Sequence, residues 1–130
     1  MLDRIDIHVE VPTVQYKEIA GGANGEASDA IRDRVEKARQ MQRARFSDRG
    51  KTTCNARMKP REIKAHCQID EAGHELLRMA MTELGLSARA YDRILKVSRT
   101  IADLDAQESI QVQHLSEAIQ YRTLDRNLWM

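Results

Sequence analysis

The chain has 130 residues, of which 42% are hydrophobic and 32% charged, with a formal net charge of +1. That length fits one domain, and the balance of apolar and charged residues excludes a disordered chain. No apolar run approaches the roughly 18 residues of a membrane span, so no membrane contact is expected. Cys54 and Cys67 make no disulfide framework, and Met1-Leu2-Asp3-Arg4 carries no signal-peptide pattern, so the expected compartment is a reducing cytoplasm.

Residues 5–11 read Ile-Asp-Ile-His-Val-Glu-Val. Apolar and polar residues alternate strictly, which predicts a half-buried strand, ended by Pro12. No second strand pattern follows. A lone strand cannot satisfy its own N–H and C=O groups. The expected neighbour is therefore a sheet encoded upstream, which makes the chain read as a fragment and residues 1–12 as a mobile or irregular arm. The Gly-rich stretch 20–28 reads as a linker.

Helical patterns take over from there. Ser28 reads as an N-cap for a helix reaching about Phe46, with Ile31, Val35, Ala38 and Met41 on one face. Residues 47–59 read as a loop. Pro60 suits the first turn of a short helix over 60–67. Asp70 caps a longer helix with a stripe of Ala72, Leu76, Leu77, Ala80 and Leu84, and Gly85 ends it. Ser87 caps the next, with Tyr91, Ile94, Leu95, Ser98, Ile101 and Ala102 facing inward. After a turn at 105–109, a last helix carries Val112, Leu115, Ala118 and Ile119. The expected fold is all-α, a bundle of four or five helices preceded by one orphan strand. The domain reading sets 1–27 apart, as the end of another domain plus linker, from a helical unit over 28–130.

Familiar catalytic patterns are absent from the sequence. There is no Gly-x-x-x-x-Gly-Lys-Ser/Thr loop to cradle phosphates, and no apolar strand ending in paired acids to hold magnesium. His66 and Cys67 are adjacent and His74 follows, but the paired short spacings of a structural zinc site are missing, so no metal site is expected. Residues 31–51 hold eight Lys or Arg against three acids. This stretch, with Arg39, Arg43 and Arg45 at its centre, reads either as a solvated helix face and loop or as a contact for the DNA backbone. Two other arginines stand out. Arg4 sits at the start of the strand pattern in Leu2-Asp3-Arg4-Ile5-Asp6. Arg89 sits in the first turn of a capped helix in Gly85-Leu86-Ser87-Ala88-Arg89-Ala90-Tyr91. A helix start presents free N–H groups and a positive dipole end, to which an arginine adds a fork suited to phosphate oxygens. The plainer reading of Arg89 is a surface arginine paired with Asp92 or Glu83.

Four segments together resemble the magnesium-chelatase-like AAA+ ATPases of the ComM/YifB branch. They are Leu2 to Pro12, Cys54-Asn55-Ala56-Arg57-Met58, Leu86 to Leu104, and His114-Leu115-Ser116-Glu117-Ala118-Ile119-Gln120-Tyr121-Arg122. The resemblance is spread over nearly the whole chain, and Leu86–Leu104 is its most specific part. It implies that residues 5–11 are the last strand of an α/β core and residues 28–122 its helical lid. By the same match Arg4 falls on the arginine-finger position, reaching in trans to nucleotide on a neighbouring subunit, and Arg89 on the sensor-2 position of the lid. It further implies ATP and Mg2+ as cofactors of the intact protein, with neither bound by this fragment alone, and a homo-oligomeric ring, expected to be a hexamer, that drives DNA branch migration or recombination. The phosphate loop, the magnesium acids and sensor 1 are missing, so the fragment is expected to be inactive by itself. The alternatives are the motor subunit of a metal chelatase and a free-standing helical adaptor or DNA-binding module with no link to ATP.

Overall fold

The computed structural model describes residues 5–9, 11, 16, 21, 25–47 and 52–122. Among the described residues its elements are five α-helices, α1 (Ser28–Arg45), α2 (Pro60–His66), α3 (Glu71–Leu84), α4 (Ala88–Leu104) and α5 (Val112–Gln120), with a 3-10 turn at Asn55–Arg57 ahead of α2. The all-α bundle expected from periodicity is what forms.

Local chemistry explains the boundaries. Pro60 opens α2, and the Lys59 N–H donates to Glu62 Oε1 at 3.1 Å, which satisfies an otherwise unpaired donor at the helix start. The Asp70 carboxylate accepts from the Gly73 N–H at 2.8 Å at the start of α3. Gly85 then ends α3 in the left-handed conformation, at φ 61°, which costs a residue without Cβ nothing. Ser87 caps α4 by accepting from the Ala90 N–H at 3.2 Å. In α5 the His114 ring takes over the capping task, its Nδ1 accepting from the Gln111 N–H at 2.9 Å. One boundary differs from expectation. Ser28 is already helical, and Ala27 occupies the cap position with no side-chain hydrogen bond. Asp29 in the first turn and an ion pair between Arg34 and Glu26 hold that end instead.

α4 is the central helix. It packs against α1, α2, α5 and the 3-10 turn, while α3 rests on α5. Ile94, Leu95 and Ala102 of α4 meet Phe46, Met58, Ile63, Cys67, Leu77, Ile110, Leu115 and Ala118 in one apolar core. Gly73 allows the close approach of α3 to α5, since a Cβ there would lie 2.9 Å from Leu115 Cδ1. The stripe of α1 is only half used. Ala38 is buried, but Ile31 and Val35 remain 41% and 42% exposed.

The orphan strand does not form. Residues 5–9 and 11 adopt no strand, and no strand occurs anywhere among the described residues. A ladder needs a neighbouring strand, and none is present to supply one. The segment does not float free of the bundle, however. The His8 N–H donates to the Tyr121 carbonyl at 2.8 Å, the Arg122 guanidinium donates to the Ile5 carbonyl, and Arg93 of α4 pairs with Asp6. The alternation survives in this docked arm with its polar side inward. Asp6 and His8 are half-buried, whereas Ile5, Ile7, Val9 and Val11 are 45%, 48%, 63% and 79% exposed.

Candidate functional site

The arginines of α4 divide by what holds them. Arg99 is buried, and its fork donates to the Glu108 carbonyl at 2.8 Å and the Gln107 carbonyl at 2.7 Å, with Asp103 Oδ1 at 3.3 Å. Burial pulls its pKa below the ordinary arginine value, against the opposing pull of Asp103. Arg93 is engaged with Asp6. Arg89, one helical turn before Arg93, is exposed at the start of α4 and has no hydrogen bond or ion pair among the described residues. Neither Asp92 nor Glu83 holds it. Its guanidinium is exposed in the first turn of a helix, a place where phosphate oxygens are readily received. Arg4 lies outside the described residues.

The basic stretch also sorts itself. Arg39 is exposed, and Arg43 is exposed and paired with Glu36 across the surface of α1. Arg45 is turned inward. Its side chain retains 13% of its exposure, and its fork makes a bidentate pair with Asp103, at 2.9 Å to Oδ2 and 2.7 Å to Oδ1. Sequence reasoning missed this cluster. Asn55 donates to Asp103 Oδ2 at 2.9 Å and to Thr100 Oγ1 at 3.1 Å, accepts from Arg45 at 2.9 Å, and its own N–H is taken by Gln42 Oε1 at 3.0 Å. Residues 52–59, within the stretch expected to be a loop, therefore bury Asn55 and Met58 and join α1 to α4. A charged group taken out of water is tolerable when its own oxygens are matched, and Asp103 meets two guanidinium groups and an amide.

The groups with metal-binding chemistry lie apart. Among the described residues no three His, Cys, Asp or Glu side chains converge as a metal ion would require. His66 stands edge-on to the Phe46 ring, with centroids 5.5 Å apart. Burial pushes the Cys67 thiol up to about 11. His114 is buried, with Nδ1 accepting from Gln111 and Nε2 facing Asp105 Oδ2 at 2.9 Å, so the neutral tautomer carries its proton on Nε2.

Residues 25–122, which span all five helices and the cluster around Asp103, match the family model of the magnesium chelatase subunit ChlI C-terminal domain. The chain belongs to this family. Within it, the chain is 42% identical over 128 residues to the competence protein ComM of Haemophilus influenzae. It is 38% identical to the uncharacterized protein YifB of Salmonella typhimurium over 128 residues, and 38% identical to that of Escherichia coli over 131. Each match takes in 98% of this chain and 24% of the relative, so the chain spans about a quarter of the length of these relatives. It is a ChlI C-terminal domain of the ComM/YifB branch. Both Arg89 and the Asn55–Asp103 cluster fall inside the matched region, and the docked arm precedes it.

Proposed function

We propose that the chain is the nucleotide-responsive lid of an AAA+ ATPase, with residues 1–27 the end of the α/β core and its linker, and residues 28–130 the lid. One observation carries this reading. Of the three arginines in question on α4, two are committed to structure, and Arg89 alone presents an unengaged fork at a helix start. The outward apolar edge of Ile5, Ile7, Val9 and Val11 supports it too, because that edge suits a sheet supplied by the rest of the parent. The parent supplies the phosphate loop and the magnesium ligands, and bound ATP with Mg2+ supplies the transferable phosphoryl group. Arg89 then contacts phosphate from the lid side. Arg4, immediately before the docked Ile5, acts on nucleotide held by the next subunit of a homo-oligomeric ring, taken here as a hexamer.

The working substrate in this reading is DNA, with the motor serving branch migration or recombination in the cytoplasm. The identities to ComM and YifB proteins favour this branch over the chelatase motor subunit. Arg39 and Arg43 are the DNA-contact candidates left on the outer face of α1, since Arg45 is occupied inside. Full-length parent should turn over ATP while the chain alone does not. Replacing Arg4 by alanine should abolish turnover, and mixing those subunits with others dead in the phosphate loop should restore part of it, as a finger acting in trans requires. A stop codon directly upstream in the same frame, or steady ATP turnover by the chain alone, would contradict the reading.

A further inference from the structure

The bundle covers only part of α1. Its last turns are packed, with Ala38 and Gln42 buried and Arg45 folded inward onto Asp103, but every residue from 28 to 37 is exposed. About 15 Å of helix therefore overhangs the packed part. Helical spacing carries one face along the whole length, since positions 31, 35, 38, 42 and 45 fall within an arc of about 80°. The packed half of that face is Ala38, Gln42 and Arg45, and the overhanging half is Ile31 and Val35. The charges around the overhang are sorted. Arg34 borders the stripe on one side, Arg32 and Arg39 on the other, while Asp29, Asp33 and Glu36 lie on the opposite face. The pairs Arg32–Asp29 and Arg34–Glu26 are solvent-exposed, so they hold those arginines weakly.

We propose that this overhang docks an amphipathic helix of a separate protein, one whose apolar seam is edged by Asp and Glu. Apolar residues four apart on a protruding helix are the anchors of helix-to-helix recognition, and the charges beside them select the partner. A second copy of α1 fits badly. Paired through Ile31 and Val35 in either direction, two copies would bring their arginine rims together. A DNA backbone would match the arginines but leave both aliphatic side chains in water. The source of the partner rests on the lid reading above: a lid that swings against its own core cannot keep this face fastened there. Ten helical residues with so little packing form a marginal helix in water, and the partner supplies the packing they lack.

The probe is a labelled synthetic helix with leucines at i, i+3, i+4 and i+7 and glutamates on both flanks, beside the same peptide with lysine for glutamate. The chain should bind the glutamate peptide about tenfold more tightly, and added salt should narrow the difference. Ile31→Ser with Val35→Ser should weaken that binding about tenfold without moving the melting of the chain, because both positions lie outside the core. Arg32→Glu with Arg34→Glu should turn the preference toward the lysine peptide, which a folding defect would not do. The full-length parent should bind the glutamate peptide as the chain does. Binding by the chain needs no nucleotide, so it stands or falls apart from ATP turnover. Equal binding of the two peptides, or none, overturns the docking face. Binding by the chain but not by the parent puts the occupant inside the parent and overturns the separate partner. A chain that self-associates in sedimentation, and stops doing so in Ile31→Ser with Val35→Ser, gives the face to a second copy and overturns the proposal. Duplex DNA that displaces the glutamate peptide gives it to nucleic acid and overturns it too.

Discussion

Asp103 shows how one buried charge can organise three segments that are distant in sequence. The residue is 2% exposed, and its carboxylate joins Arg45 from α1, Asn55 from the 3-10 turn and Arg99 from its own helix. Asp103→Ala leaves two guanidinium groups without their counter-charge, and unfolding in urea should show a loss of about 3–5 kcal/mol. Arg39→Ala, on the exposed face of α1, should stay within about 0.5 kcal/mol. Equal losses in the two variants would mean that the cluster contributes nothing of its own. Periodicity reads charged residues as solvated, so it gave Arg45 to the surface. Only its partners Asn55 and Asp103, 10 and 58 residues away, reveal otherwise, and the spacing of Arg99 and Asp103 by four residues was the single local hint. Cys67 gives a second residue-scale test. Its thiol is raised from an ordinary 9.0 to about 11, chiefly by burial. The unfolded thiol therefore ionises first as pH rises, so stability held below about pH 9 should decline between 9 and 11. Cys67→Ala should show a shallower decline over that range, and an identical slope would remove the thiol from the account.

At the scale of elements, the helices were legible because each carries its own signals. Pro60, Asp70, Gly85 and Ser87 stand where the caps and stops form, and Leu77, Ile94, Leu95, Leu115 and Ala118 occupy the core their spacing assigned. Gly73 was not legible as a contact, because its purpose lies in α5. Gly73→Ala should raise intrinsic helix propensity yet destabilise the fold by about 1–3 kcal/mol, since the new methyl group meets Leu115 at 2.9 Å. Shortening Leu115 in the same chain should lessen that penalty, and a stabilised Gly73→Ala would refute close α3–α5 packing. The arm at residues 5–11 was the element read least well. Its alternation of apolar and polar residues is real, but a strand is a property of two segments and the described chain contains one. Which face turned inward was decided by the ions and carbonyls on offer, Arg93, Arg122 and Tyr121, rather than by hydrophobicity.

The described residues form a helical domain, in a chain that spans about a quarter of its curated relatives' length, and two of its outward-facing features bear on function. One is the apolar edge of the arm, and the other is Arg89. The family was legible from Leu86–Leu104 and its companion segments, whereas the roles proposed for Arg4 and Arg89 call on groups that none of the described residues supplies. The most direct test of the central claim is ATP turnover by full-length parent carrying Arg89→Ala, measured at saturating ATP beside the helical content and melting of the same protein. An exposed arginine without a partner in the bundle is dispensable for folding, so melting should not move. Turnover should fall by roughly a hundredfold, as when one preorganised charge is removed from a phosphoryl-transfer site. Turnover at the unaltered rate, in a folded protein with saturated sites, would contradict the assignment of this domain as a nucleotide-sensing lid.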